Sequence, residues 1–493
     1  MDKLLLGIDF GTSTNFVTKY DFNKKDAVAV ANMGDYGNSN IFENCIYIES
    51  EKNFVIGQPK KGVNDPWNFF QDVKRFITSD DWKKKVPNLN DREVTAQDLT
   101  TMIFSAIKTK VEYSEARPVD GAVITVPYAY GDKYKKRLKK AAEDAGIKVI
   151  QLVEEPVAAA ISFGIFSGDI EPDKKEKIVV FDLGGGTFDI TVFEFQKNDQ
   201  RHAKIEVLNT DGVEKLGGKT IDELISDKFR ETLGIEYCDF SNKKEESNFR
   251  NKLNSVARDT KEELSFNELA DVYESFAINL NTEELELEIE RNDFNDWLKN
   301  NNIIGQIEDA LDRAIYDIDL EPEDIDRIIL AGGTSSIPLI KEAVRDFFGK
   351  EPESKQNLGE LVGHGAGILA GLSADNSLQY EVIRKTSKDV GIATGQKFKR
   401  ILHKNERYGA ISTGYKVKLS NTESALQVTF YEGISNRIED CEKFGTATIN
   451  GQLFSNGIIY ISLMRDKDTG RIKYYFNDEN KTEIDMGFLQ DVG

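Results

Sequence analysis

The chain has 493 residues, 39% of them hydrophobic and 30% charged, and a formal net charge of −21. That length allows roughly three folding units at about 150 residues each, and the composition is too apolar for a disordered chain. So acidic a surface excludes general binding to nucleic acid or anionic lipid, and no apolar run approaches the roughly 18 residues of a membrane span.

In chain order, the N-terminus meets Asp2 and then Asp9 after a short apolar run, shows no cleavage-site pattern, and leaves a cytoplasmic address as the expectation. Residues 4–14 (LLLGIDFGTST) read as an apolar strand ending in Asp9, a turn with Gly11, then Thr12, Ser13 and a second strand. The apolar strand closed by Pro127 precedes a helix over 133–145, with Tyr134, Leu138 and Ala141 at helical spacing and Gly146 as its C-terminal cap. In 152–160 (LVEEPVAAA) a strand runs into an acid, and Pro156 takes the first turn of an alanine-rich helix. After a polar loop at 169–177, residues 178–191 (IVVFDLGGGTFDIT) repeat the opening format. Gly217-Gly218-Lys219-Thr220 ends like a P-loop, but Val213 stands where that motif needs glycine. The better reading is a loop whose Thr220 caps a helix from Ile221. Residues 271–278 and 284–291 form a hairpin around 279–282. In 328–338 (IILAGGTSSIP) a buried strand meets paired glycines and a helix start, a seat for the nucleoside side of a nucleotide. A polar linker follows at 373–388. Beyond it the helical period vanishes, and strands at 428–431, 458–463 and 472–476 predict a small all-β sandwich. Cys45, Cys238 and Cys441 lie far apart and suit neither zinc nor a disulfide framework.

The two matching hairpins carry the chemistry. Glycine lets backbone approach a phosphate, turn N–H groups and a Thr hydroxyl donate to its oxygens, and an Asp at the strand end holds hydrated Mg²⁺. One copy is also what any tight turn needs. Two copies, one per half, point to a metal-bound polyphosphate clamped from both sides.

Taken in order, GIDFGTST, VPYAY, EEPVAAA, FDLGGGTFD and AGGTSSIP resemble the actin, sugar-kinase and heat-shock ATPase superfamily, and are most similar to the DnaK-type 70-kDa heat-shock chaperones. The resemblance covers 1–372 and continues more faintly into the tail. It implies an α/β fold: a two-lobed actin-like ATPase of duplicated mixed sheets flanked by helices (lobe I about 1–172, lobe II about 173–372). After the linker at 373–388 comes a peptide-binding-like β-sandwich at 389–493 without a helical lid. It implies ATP or ADP with Mg²⁺, held through water by Asp9 and Asp182. Gly11, Thr12, Ser13, Gly184, Gly185, Gly186 and Thr187 would contact the phosphates. Lys74 would stabilise charge on the transferring group, Glu155 would sit near the hydrolytic water, and Asp182, Thr187 and Asp189 would complete the catalytic set. Gly217, Gly218, Lys261, Ser265, Gly332, Gly333, Thr334 and Ser336 would serve the remaining nucleotide contacts. Pro127 matches the family's switch proline. The implied partners are unfolded or extended polypeptide and co-chaperones of the J-domain and nucleotide-exchange kinds, with no nucleic acid and no membrane, for a monomer.

Departures from the pattern have consequences. Glu262 and Ser336 replace the two adenine-facing arginines, Lys135 replaces the arginine that reports on the switch proline, and Leu378 with Val382-Ile383 are the nearest substitutes for an acidic, leucine-rich linker. Losing cation–π contacts of about 0.5–2 kcal/mol each predicts weaker nucleotide affinity or a shifted base preference, and the absent lid predicts fast peptide release. Three alternatives share the hairpins: a sugar-type kinase, an actin-like filament protein, and a nucleotide-binding scaffold with negligible turnover.

Overall fold

Each glycine-turn hairpin becomes the centre of its own sheet. The computed structural model describes residues 3–490 apart from 32, 34–39, 129, 163–173, 198–201, 214, 238–239, 241, 280, 354–357, 375–378, 387, 420–424, 434, 455 and 468–469. Cys238, Leu378, Ala129 of VPYAY and most of the 169–177 loop thus lie outside the described residues. The first sheet contains β1 (Leu5–Phe10), β2 (Thr14–Asp21), β3 (Asp26–Ala29), β4 (Gly121–Val126) and β5 (Val149–Glu154) in the order β5-β4-β1-β2-β3, with the short Ile41–Glu43 also on β2. The second contains β6 (Lys175–Leu183), β7 (Phe188–Lys197), β8 (His202–Val213), β9 (Arg327–Ala331) and β10 (Gln379–Ile383) in the order β9-β6-β7-β8-β10. In each, the strand ending in Asp pairs antiparallel with its hairpin partner and parallel with a strand from further along the chain. The sequence echo is an echo of topology.

Six helices position the site: α1 (Ala96–Glu115), α2 (Asp132–Asp144), α3 (Glu155–Ala160), α4 (Gly218–Leu233), α5 (Lys243–Phe266) and α6 (Leu361–Leu372). α1 starts at a capping box, in which Asp98 N donates to Thr95 Oγ1 at 3.1 Å and Thr95 N to Asp98 Oδ2 at 2.8 Å. α6 joins the two lobes through a shared core that includes Leu5, Val123, Ala158, Val180, Ile329 and Ala366. Its glycines permit this. A Cβ on Gly7 would fall 2.1 Å from Gly367 N, so strand and helix meet backbone to backbone.

The tail forms two four-stranded sheets. One orders β11 (Asp389–Thr394), β12 (Lys397–Leu402), β14 (Ala425–Gly433) and β15 (Glu442–Asn450) as β12-β11-β14-β15. The other orders β13 (Tyr415–Lys418), β16 (Ile458–Arg465), β17 (Ile472–Asn477) and β18 (Glu483–Phe488) as β13-β16-β17-β18. Val390, Phe430, Ile449, Ile461, Leu463 and Phe476 share a core between them, the sandwich that the alternating strands predicted.

Three local expectations change. Thr220 lies inside α4, whose N-cap is Gly217, and its hydroxyl donates back to Lys215 O at 2.8 Å instead of capping. The hairpin strands run longer than expected, Leu269–Ile278 and Asn281–Glu290, which narrows the turn. Part of the polar linker is a strand: β10 pairs parallel with β8, from His202↔Gln379 to Glu206↔Ile383. The strand reads Gln-Tyr-Glu-Val-Ile, and Val382 packs against the core shared by the lobes, so a short strand pattern lay inside a run whose flanks are polar.

Candidate active site

β1 and β6 are buried to their C-terminal ends and carry Asp9 and Asp182 there. The turns that follow touch across the lobes. A Cβ on Gly185 would fall 2.0 Å from Ser13 Oγ, and one on Gly186 2.6 Å from Thr12 Cγ2. Both hairpins line one pocket of about 70 Å³, with Asp9, Gly11, Thr12 and Ser13 from lobe I and Asp182, Gly184, Gly185 and Thr187 from lobe II. Lys74, Glu155, Gly332 and Gly333 also line it, with Thr14, Gly359 and Val362. Lys74 projects from a single 3₁₀ turn, Val73–Phe76, is 2% exposed, and donates through Nζ to Glu155 Oε1 at 2.8 Å. Glu155 is the first residue of α3, where Pro156 is tolerated and a carboxylate suits the helix dipole.

The electrostatics are those of a site short of positive charge. Burial lifts the Asp9 carboxyl to about 7, helped by the Glu155 charge and opposed by Lys74 and by the 2.7 Å bond from Thr125 Oγ1. Burial, then Glu155, Asp189 and Asp9, raise Asp182 well above the ordinary carboxylate range. Asp182 and Asp189 are direct cross-strand partners, a like-charge pairing that costs stability unless a cation sits nearby. Burial disfavours the Lys74 ammonium, but attraction to Glu155 outweighs it and the lysine stays charged. Four carboxylates thus face one lysine. Hydrated Mg²⁺ fits that deficit because it binds carboxylates while keeping several waters. Among the described residues no group of three His, Cys, Asp or Glu side chains is close enough to hold an ion directly.

Gly217, Gly218, Lys261, Ser265, Thr334 and Ser336 do not line this pocket, and Gly217, Gly218 and Thr334 contact its lobe II turn. Gly218 N donates to Gly184 O at 3.0 Å, Lys219 N to Gly185 O at 2.8 Å, and Thr334 Oγ1 to Gly184 O at 2.9 Å. Gly217 packs on Gly186, where a Cβ would meet Gly186 N at 2.6 Å. Lys261 Nζ donates to Asp222 Oδ1 at 2.6 Å and to Gly218 O at 3.3 Å. The hydroxyls of Ser265 and Ser336 donate to main-chain carbonyls of their own segments, Lys261 O and Gly333 O. Glu262 is exposed and lies 3.5 Å from Arg258 Nε, one turn earlier on α5.

Two features had no sequence signal. Ion pairs cross between the lobes, Arg258 with Glu43 at 2.6 Å and Lys219 with Asp72. Glu154, beside Glu155, is buried between Lys135 at 3.3 Å and Arg384 of the linker at 3.4 Å. Burial pushes Glu154 up, but Arg384 and then Lys135 overcome it and hold the carboxyl down at about 2. Lys135 stands out in the sequence for another role and Arg384 for none; only the fold brings them together on Glu154.

Two lobes of like topology around a shared hairpin pocket, followed by a β-sandwich, define an actin-like ATPase with an appended β-domain. The family model "Hsp70 protein" matches residues 5–462, and the chain belongs to the Hsp70 family. It is 27% identical over 471 residues to "Chaperone protein HscA homolog" of Pseudoalteromonas atlantica, covering 91% of this chain and 72% of that relative. It is 27% identical over 512 residues to "Chaperone protein DnaK" of Trichormus variabilis, covering 95% and 71%. "Chaperone protein DnaK" of Thermotoga petrophila is 27% identical over 445 residues, covering 87% and 70%. The protein is an ATP-dependent, Mg²⁺-requiring chaperone ATPase, with unfolded polypeptides and co-chaperones in general as partners, and the match gives no support to a sugar kinase. No helix among the described residues is long and apolar enough to cross a membrane.

Proposed function

We propose that residues 1–372 hydrolyse ATP at the hairpin pocket and that 389–493 binds extended apolar peptide, with the segment 373–388 passing the nucleotide state between them. The observation that carries this reading is the contact of the two glycine turns at Gly185 and Ser13 around buried acids from both lobes. Asp9 and Asp182 would hold Mg²⁺ through its waters, and the ion would offset phosphate charge. Gly11, Thr12, Ser13, Gly184, Gly185, Gly186 and Thr187 present backbone N–H groups and hydroxyls to the phosphates. Lys74 stabilises charge on the transferring group and holds Glu155 in place, while Glu155 and Asp189 orient the attacking water. Phosphoryl transfer asks chiefly for such positioning and charge neutralisation. Gly217, Gly218, Lys261, Ser265, Gly332, Gly333, Thr334 and Ser336 support the nucleoside end. Exposed Glu262 supports a weaker or less adenine-selective grip, which calorimetry with ATP, GTP and ADP tests; sub-micromolar, strongly adenine-selective binding refutes it. J-domain and nucleotide-exchange partners, a monomeric state and a cytoplasmic address belong to the same reading.

ATPase turnover with and without a short apolar heptapeptide is the decisive experiment. Stimulation is expected. Absence of turnover refutes the active-site assignment, and turnover indifferent to peptide refutes the coupling.

A further inference from the structure

Lys74 is held by less than its task requires. It projects from the 3₁₀ turn Val73–Phe76, 4 residues long and entered through Asp72 at φ 62°, and so short a turn does not by itself fix a long side chain. Its ammonium carries three protons. Glu155 Oε1 takes one of them at 2.8 Å, and among the described residues Nζ is bonded to no second acceptor. Near it stands a side chain with the complementary shortage. Tyr134, in the first turn of α2, is 2% exposed; its ring meets Tyr130 edge-on at 4.5 Å, and its buried hydroxyl has no hydrogen-bond partner among the described residues. The groups whose charge acts on that phenol are Lys74, Tyr130, Glu155 and Asp9, so it belongs to the catalytic cluster. Tyr134 and Lys74 line one cavity of about 510 Å³, but Tyr134 does not line the hairpin pocket, which Lys74 also lines. The lysine thus connects the tyrosine to that pocket. A buried hydroxyl left unpaired is costly, and phenylalanine would fill the same space without that cost.

We infer that Tyr134 is a positioning residue for the hydrolysis: its hydroxyl accepts a hydrogen bond from the Lys74 ammonium as the lysine turns from Glu155 toward the transferring group. The inference rests on the reading of Lys74 given above. A phenol suits this place better than an acid. Asp9, Asp182, Asp189 and Glu155 already crowd the site with negative charge, and one more carboxylate would compete with phosphate for the ammonium. A phenol accepts the bond and adds no charge. Burial, opposed by Lys74 and helped by Tyr130, Glu155 and Asp9, keeps this one protonated far above its ordinary range. Because Tyr134 reaches the reaction only through Lys74, it should affect the rate of the chemical step and not the grip on nucleotide.

The test is Tyr134→Phe, which keeps the ring and removes the oxygen. Steady-state ATPase of the full chain should show kcat lower by about tenfold, with KM for ATP changed by less than about twofold. The urea midpoint of the same variant, measured without nucleotide, should equal or exceed that of the unmutated protein, because the hydroxyl makes no bond that is lost. A residue that merely packs gives the opposite pair, a lower midpoint with kcat unchanged. In a Lys74→Ala background the substitution should cost nothing further, since it acts through the lysine. Unchanged kcat, a fall in kcat matched by a fall in midpoint, or additive losses in the double variant overturn the proposal. Full turnover in Lys74→Ala alone overturns first the reading of Lys74, and the proposal with it.

Discussion

Lys74 is sealed from water, so its charge must be answered inside the protein, and Glu155 answers it at 2.8 Å. Truncating either partner leaves the other buried and alone, which costs more than the pair contributes. Lys74→Ala should therefore lower turnover by about 100-fold, about 2.7 kcal/mol, while ATP still binds; equal single-turnover rates would remove Lys74 from the chemistry. Asp182→Asn should raise the magnesium concentration needed for half-maximal turnover, and an unchanged requirement would argue against the metal assignment. Glu154 sets a pH dependence. Its carboxyl falls from 4.5 to about 2 in the fold, so its contribution is complete above about 4.5 and drains away as pH drops toward 2. Lys135, Arg384 and Tyr128 are the charged or titratable groups that interact with it. Urea midpoints of Glu154→Gln should consequently converge on the wild-type values in that acid window and lie below them at neutral pH.

At the level of elements, legibility followed side-chain pattern. The hairpins could be read because a buried strand must be apolar and a close approach must be glycine, so LLLGIDFGTST and IVVFDLGGGTFDIT announce both fold and pocket. The sandwich strands announced themselves by alternation. β10 could not, because its five residues, Gln-Tyr-Glu-Val-Ile, are too short a run to stand out from the polar stretch around them, although Val382 packs on the core. Nor could the Lys74–Glu155 and Glu154–Arg384 contacts, which depend on long-range placement and not on spacing. Val382→Pro should cut ladder bonds and unzip β10, seen as faster amide exchange at 202–206; unchanged protection there would show that the strand does not depend on this pairing. Gly7→Val should force β1 off α6 and destabilise by about 3 kcal/mol in chemical denaturation, since backbone on both sides leaves nothing flexible to yield.

Across the whole molecule, opposite charges fasten the lobes to each other and to the tail. Arg258–Glu43 spans the lobes, and Lys404–Asp211 at 3.2 Å with Arg407–Glu206 at 2.5 Å ties the tail to β8. Partly exposed pairs of this kind contribute about 0–1 kcal/mol each. Arg258→Glu should accordingly speed release of a fluorescent ADP analogue by up to about fivefold, and pairing it with Glu43→Arg should restore the slower rate; equal rates in all three proteins would show that the bridge does not gate release. The linker also answers to lobe I, where Tyr128 Oη donates to Lys385 O at 2.5 Å. These small clasps and the five residues of β10 together make the tether reversible. Once peeled from β8, that strand is slack worth about 17 Å of extended chain. The tail would exchange a fixed berth for a roaming radius, and its local concentration beside the lobes would thin roughly as the −3/2 power of the freed length.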